Sequence, residues 1–196
     1  NKAIYLEDGQ VASIRLNKSI KIWEIDNNRP IPVLVQELKM SLEATEKGGY
    51  EHFMLKEIYE QPNAIKDTYR GRLFINEKLI KMAGVEENLE KFTNADRIII
   101  VACGTSWHAG LVAEYIIEDL TRIPVEVEYA SEFRYRNPII TSKDVIIAIS
   151  QSGETADTLA AIKLAKQNGA FVFGVCNVVG STIARETNAG AYTHAG

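Results

Sequence analysis

Hydrophobic and polar positions change rhythm along the chain, and three regions follow from that change. In the first, Ile4-Tyr5-Leu6 and Val11-Ala12-Ser13-Ile14 flank the polar Glu7-Asp8-Gly9-Gln10. An Asp-Gly pair between apolar runs predicts a β-hairpin, because the tight two-residue turn takes positive φ at both central residues. A further strand is expected at Ile20-Lys21-Ile22-Trp23-Glu24-Ile25, ended by Asp26-Asn27-Asn28-Arg29-Pro30. Three short strands bury too little area to stand alone, so this region reads as the tail of a sheet begun before residue 1.

The second region, residues 33 to 71, is charged and helical with two breaks. Gly48-Gly49 separates one segment from the next, Pro62 suits the first turn of a new helix, and Gly71 fits a helix C′ position. Phe53, Met54, Leu55, Ile58 and Tyr59 give this connector more apolar surface than a free linker carries, which predicts that it packs on another part of a larger protein.

The third region alternates β-branched runs with helical patterns. The runs are residues 97–102, 125–129, 145–149 and 171–176, with a possible last strand at 189–193. Val112, Tyr115, Ile116 and Leu120 mark one helix face, and Leu159, Ile162, Lys163 and Ala165-Lys166 mark another helix. Strand, helix, strand with short links predicts an α/β fold, a doubly wound parallel sheet. Numbering the runs one to four, the expected order is 2-1-3-4. From 145 to 196 only Glu154, Asp157, Lys163, Lys166, Arg185 and Glu186 are charged. So sparse a stretch is expected to be covered by further chain or by a subunit contact, which predicts a homo-oligomer.

Composition narrows the function classes. Among 196 residues, 46% are hydrophobic and 24% charged, the mix of a soluble globular protein. A net charge of −4 without a clustered basic face argues against nucleic acid or anionic membrane as partners. No apolar run approaches the ~20 residues of a membrane span. Cys103 and Cys176 match no metal-ligand spacing and read as free thiols of a cytoplasmic protein. Neither a metal nor a cofactor is expected.

The candidate chemistry lies in two loops. In open α/β sheets, ligands bind beyond the carboxyl ends of the strands where the strand order reverses. With the order 2-1-3-4, that place is between strands one and three. The turns that follow them are Cys103-Gly104-Thr105-Ser106 and Ser150-Gln151-Ser152-Gly153-Glu154-Thr155, the segments densest in hydroxyls and glycine. The second opens a helix running to about Asn168, whose first N–H groups favour an anion. With no Lys or Arg in the loop, neutral donors suit a single phosphate monoester. There is no GxxxxGK[ST], and Gly104 belongs to no GxGxxG. A helix cap and turns also explain one Ser-rich loop; two such loops at the reversal point favour the ligand site. Cys103 lacks an adjacent base and reads as a packing thiol rather than a nucleophile. His52, His108 and His194 read as surface or satisfied histidines, Trp23 and Trp107 as packing residues. Glu132-Phe133-Arg134-Tyr135-Arg136 fits a solvated segment as well as a subunit or ligand contact.

The run Ser150-Gln151-Ser152-Gly153-Glu154-Thr155-Ala156-Asp157-Thr158 resembles the phosphosugar loop of the sugar isomerase (SIS) fold as found in the glutamine–fructose-6-phosphate aminotransferase family. His52 to Pro62 resembles the connector after that family's glutaminase domain, and Ala102 to Ser106 its first sugar-binding loop. Ala130 to Arg136 and Cys176 to Ser181 also fit, and the first 25 residues resemble the closing strands of the glutaminase domain.

The resemblance implies residues 1–28 as glutaminase-domain strands, 29–85 as helical connector, and 86–196 as a first, incomplete SIS module. It implies an enzyme that makes glucosamine 6-phosphate from fructose 6-phosphate and glutamine, with glutamine bound at a glutaminase domain absent here. Ser150, Ser152 and Thr155 would hold the phosphate of fructose 6-phosphate or glucose 6-phosphate, with Gln151 beside them; Cys103, Gly104, Thr105 and Ser106 would line the sugar. The family's nucleophilic cysteine, Schiff-base lysine and proton-moving groups align with nothing in the chain, which begins with Asn1. No catalytic residue is therefore expected here, and the chain alone is expected to be inactive. The alternative is a non-catalytic, sugar-phosphate-sensing SIS module; the glutaminase-like strands and the connector favour the enzyme.

Overall fold

The computed structural model describes residues 2–16, 19–37 and 47–195. The chain divides into two compact units, residues 1–56 and 57–196.

In the first unit, β1 (Lys2–Ala3) pairs antiparallel with β5 (Gln36–Glu37). Strands β2 (Gln10–Ser13), β3 (Lys21–Glu24) and β4 (Pro30–Ile31) form an antiparallel sheet in that order. The hairpin expected between residues 4–6 and 11–14 does not form. The Gln10 N–H closes the turn on the Glu7 carbonyl (3.1 Å). Gly9, at the turn's second central position, takes a left-handed φ of +82° while Asp8 does not, so the turn is not of type I′ and its twist splays the flanking runs. The Glu7 N–H donates instead to the Gln10 side chain (3.0 Å). Strand β2 pairs with β3, setting Val11 opposite Trp23. Of the helical segment expected before Gly48, residues 38–46 lie outside the described residues, and Gln36–Glu37 is strand. Gly48 and Gly49 do make a break, both at positive φ.

Helix α1 (Phe53–Tyr69) contains Pro62 in its interior, where a helix start was expected. The ring removes one N–H from the helical ladder. The helix runs through because good helix formers flank the proline, Met54 to Glu57 before it and Ala64 to Lys66 after it. It ends as expected, at Gly71 with φ +71°. No side chain of α1 is buried.

In the second unit a short hairpin, β6 (Leu73–Phe74) and β7 (Leu79–Ile80), precedes α2 (Ala83–Glu86) and α3 (Leu89–Thr93). The α/β part follows as β8 (Arg97–Ala102), α4 (Gly104–Thr121), β9 (Val125–Tyr129), α5 (Ala130–Tyr135), β10 (Asp144–Ser150), α6 (Ala156–Gln167), β11 (Phe171–Cys176), α7 (Thr182–Glu186) and β12 (Ala189–Tyr192). All five strands are parallel, in the order β9-β8-β10-β11-β12. The expected order 2-1-3-4 therefore holds, with a fifth strand beside β11.

Alternation across the pleat sends neighbouring residues to opposite faces. Ile99 and Val101 enter one core with Ile146, Phe133, Ile162, Ala165 and Ile183; Ile98 and Ile100 enter the other with Val145, Ala113, Ile117 and Phe92. Both faces of the sheet are thus covered, which is why its strands read as continuous apolar runs. The charge-poor stretch from 145 onward supplies much of these cores, Val145, Ile146, Ile162, Ala165, Val172 and Ile183 among them, while Val178 and Val179 stay exposed. The helix face marked by Val112, Tyr115, Ile116 and Leu120 is the exposed one; α4 packs through Gly110, Ala113 and Ile117 instead. Gly110 permits the approach, since a Cβ there would lie 3.0 Å from Val127 and 3.1 Å from Ile100.

Candidate functional site

Strands β8 and β10 run side by side with Ala102 opposite Ile149, so the turns that leave them begin as neighbours. Cys103 is the N-cap of α4, and its Sγ lies 4.0 Å from Oγ1 of the fully buried Thr158 on α6. That contact joins the helices that start from the two turns. Gly104, at φ +57°, makes the sharp entry into α4. Gly104, Thr105, Gln151, Ser152 and Glu154 are exposed, Cys103, Ser106 and Thr155 half-buried, and Ser150 is buried. The pair of loops forms an open shelf. The cavity lined by Gly174, Cys176, Thr187 and Gly190 lies along β11 and β12 and not at this shelf.

Within the second loop the hydroxyls have distinct local partners. The Gly153 N–H donates to Ser150 Oγ (3.0 Å), which is itself 3.1 Å from Thr155 Oγ1. The Glu154 N–H donates to Ser152 Oγ (3.2 Å). Gly153 holds φ +68°. The N-cap of the twelve-residue α6 is Thr155, with extended backbone and no side-chain capping bond. Ser152 therefore is not the cap of this helix. The first N–H groups of α6 face the loop side, where they and the helix dipole favour a negative group.

A third segment, the turn after β11, to which residue types alone assign no role, braces the loop from behind. The Asn177 N–H donates to the Gln151 carbonyl (3.3 Å), and the Ile183 N–H to the Gly153 carbonyl (2.9 Å). Asn177 also fixes the chain after β12: Thr193 Oγ1 donates to its Oδ1 (2.7 Å), and its Nδ2 donates to the Ala195 carbonyl (2.8 Å). The available signal was topological, since the turn after β11 must lie beside the turn after its neighbour β10. Cys176 is buried at the end of β11; burial pushes its thiol pKa up, partly opposed by the Ser181 hydroxyl. Arg134 and Arg136 serve structure: Arg134 pairs with Asp157 at the start of α6 (3.2 Å), Arg136 with Glu128, and Phe133 between them is fully buried. His52 and His108 lie on the surface, His52 3.6 Å from Glu51.

A family model described as SIS domain matches residues 91–196. The chain belongs to the SIS domain family. Its SIS part carries both loops and the whole five-stranded sheet. Over the full chain it is 58% identical to the glutamine–fructose-6-phosphate aminotransferase (isomerizing) of Chlorobaculum tepidum and 55% identical to that of Bacteroides thetaiotaomicron. It spans all of its own length but 32% of each of those proteins, about a third. Among solved structures, the C-terminal domain of glucosamine-fructose-6-phosphate aminotransferase from Francisella tularensis matches 77% of this chain and 42% of its own, at 41% identity and a TM-score of 0.69. A glucosamine-6-phosphate deaminase from Thermotoga maritima, 23% identical with a TM-score of 0.58 over 74% of this chain and 41% of its own, shares the fold. Among the described residues no helix is long and apolar enough to cross a membrane.

Proposed function

We propose that this SIS unit holds fructose 6-phosphate or glucose 6-phosphate, as the sugar-phosphate part of an isomerising glutamine–fructose-6-phosphate aminotransferase acting in the cytoplasm. The observation that carries the reading is the juxtaposition of the two turns after the adjacent strands β8 and β10, one of them opening α6. The phosphate sits on Ser150, Gln151, Ser152 and Thr155, bound by hydroxyls, loop amides and the start of α6. The sugar lies along Cys103, Gly104, Thr105 and Ser106. Residues 1–28 serve as glutaminase-domain strands and 29–85 as connector, with glutamine bound by a domain of the whole enzyme. The similarity to the aminotransferases extends over the residues before 91, outside the SIS match, which favours this reading over a sensing module.

The loop's chemistry is positional. Hydroxyls, an amide and backbone dipoles orient a substrate, but none abstracts a carbon-bound proton near neutral pH. The test is calorimetric titration with fructose 6-phosphate and with fructose. Binding of the phosphate ester alone is the expected result, and Ser152→Ala should weaken it by about 1.5–3 kcal/mol, the value of a hydrogen bond to a charged group. Equal binding of fructose, or no effect of Ser152→Ala, contradicts the assignment.

A further inference from the structure

Glu154 poses a physical problem for the loop just described, since a carboxylate beside an anion site opposes the ligand's charge. The structure gives it another task. The Thr182 N–H, at the start of α7, donates to Glu154 Oε1 at 2.8 Å. The N-cap of α7 is Ser181, a residue type whose own hydroxyl ordinarily caps the helix it precedes. Here the Ser181 side chain makes no capping bond. It is fully buried beneath Gly153, so close that a Cβ on Gly153 would lie 2.0 Å from Ser181 Oγ. The cap is thus supplied by the loop, and the serine supplies the floor under the loop's left-handed glycine. Together with the Gln151 and Gly153 carbonyl bonds to Asn177 and Ile183, every second residue from 151 to 153, and then Glu154, is tied to the segment after β11.

We propose that Glu154 is a positioning residue of the phosphate loop, bracing it through Thr182 while Ser181 sets its height; this rests on the reading of the loop as a sugar-phosphate site. The brace outweighs the repulsion. Removing the carboxylate therefore weakens phosphate-ester binding, although it removes a like charge.

The experiment titrates the 196-residue chain with fructose 6-phosphate and measures amide hydrogen exchange at Thr182 and Ile183 without ligand. Wild type, Glu154→Ala and Glu154→Gln are compared. Glu154→Ala should bind about tenfold more weakly, the scale of one lost hydrogen bond. Its Thr182 and Ile183 amides should exchange about tenfold faster. Glu154→Gln, whose side-chain carbonyl still accepts from Thr182, should stay within about threefold of wild type in both readouts. Tighter or unchanged binding in both variants overturns the proposal. So does a glutamine variant as weak as alanine, because the charge itself would then be what matters. A wild-type chain that binds no fructose 6-phosphate overturns the sugar-phosphate reading instead, and the brace is then decided by exchange alone: unchanged exchange in Glu154→Ala refutes it.

Discussion

At the amino end of the five-stranded sheet, Arg97 gathers three strands into one ion cluster. Its guanidinium donates to both oxygens of Asp144 on β10 (3.3 and 3.1 Å), to Glu126 on β9 (3.0 Å) and to the Ile139 carbonyl (2.8 Å). Asp144 is 3% exposed and also accepts from the Thr141 N–H (2.7 Å). These partners, Asp144 first, raise the Arg97 pKa above its ordinary value. At the carboxyl end of the same strands two separate ion pairs, Arg136 with Glu128 and Arg134 with Asp157, flank small hydroxyl residues, glycines at positive φ and the start of α6. One end ties long, charged side chains to one another; the other sets short hydroxyl residues and backbone amides in the turns of the proposed ligand site, with Glu154 accepting from the Thr182 N–H. On the proposed reading the same strands carry an ion cluster at one end and a ligand at the other, the end where open α/β sheets bind ligands.

Substitution at each end should break this contrast in opposite ways. The largest effect is expected from Gly153→Ala. A left-handed φ costs a residue with a Cβ roughly 1–2 kcal/mol, and the new methyl drives into Ser181 at a further cost of about 1–3 kcal/mol. Affinity for fructose 6-phosphate should fall more than about a hundredfold, with thermal unfolding showing only part of the total loss. Arg97→Ala should do the reverse. It leaves Asp144 buried without its cation, which costs about 3 kcal/mol in denaturant unfolding, while affinity stays within about twofold. If Arg97→Ala lowered affinity as steeply as stability, the two ends would not be independent.

The contrast was only half legible in the sequence. The β-branched runs and the short links between them marked parallel strands buried on both faces, and the order 2-1-3-4, taken as the expected one for such a sheet, placed the two hydroxyl-rich turns together. Elsewhere local signals were overridden. Pro62 reads as a helix start, yet its neighbours' propensity carries α1 through it. Val112, Tyr115, Ile116 and Leu120 have helical spacing and face outward, because the small Gly110 and Ala113 allow α4 a closer seat on the sheet than larger residues would. Asp8-Gly9 turns without making the expected hairpin, since its one positive φ falls at the second central residue, where the turn splays the flanking runs. At the site, the residue types of both loops were visible, but not which hydroxyls already serve the loop. Ser150 accepts from Gly153, and Glu154 caps a helix 28 residues on. The first partner is hidden by the loop's backbone path, and the second lies on the turn after the neighbouring strand, so neither leaves a mark in residue spacing.

In the proposed site the anion goes to the turn after β10. A crystal structure of the chain with fructose 6-phosphate tests it most directly. The expected result is a phosphate within hydrogen-bond reach of the Ser150–Thr155 loop and the first turn of α6, with the sugar against Cys103 to Ser106. A phosphate bound anywhere else, with this loop empty at saturating ligand, would contradict it.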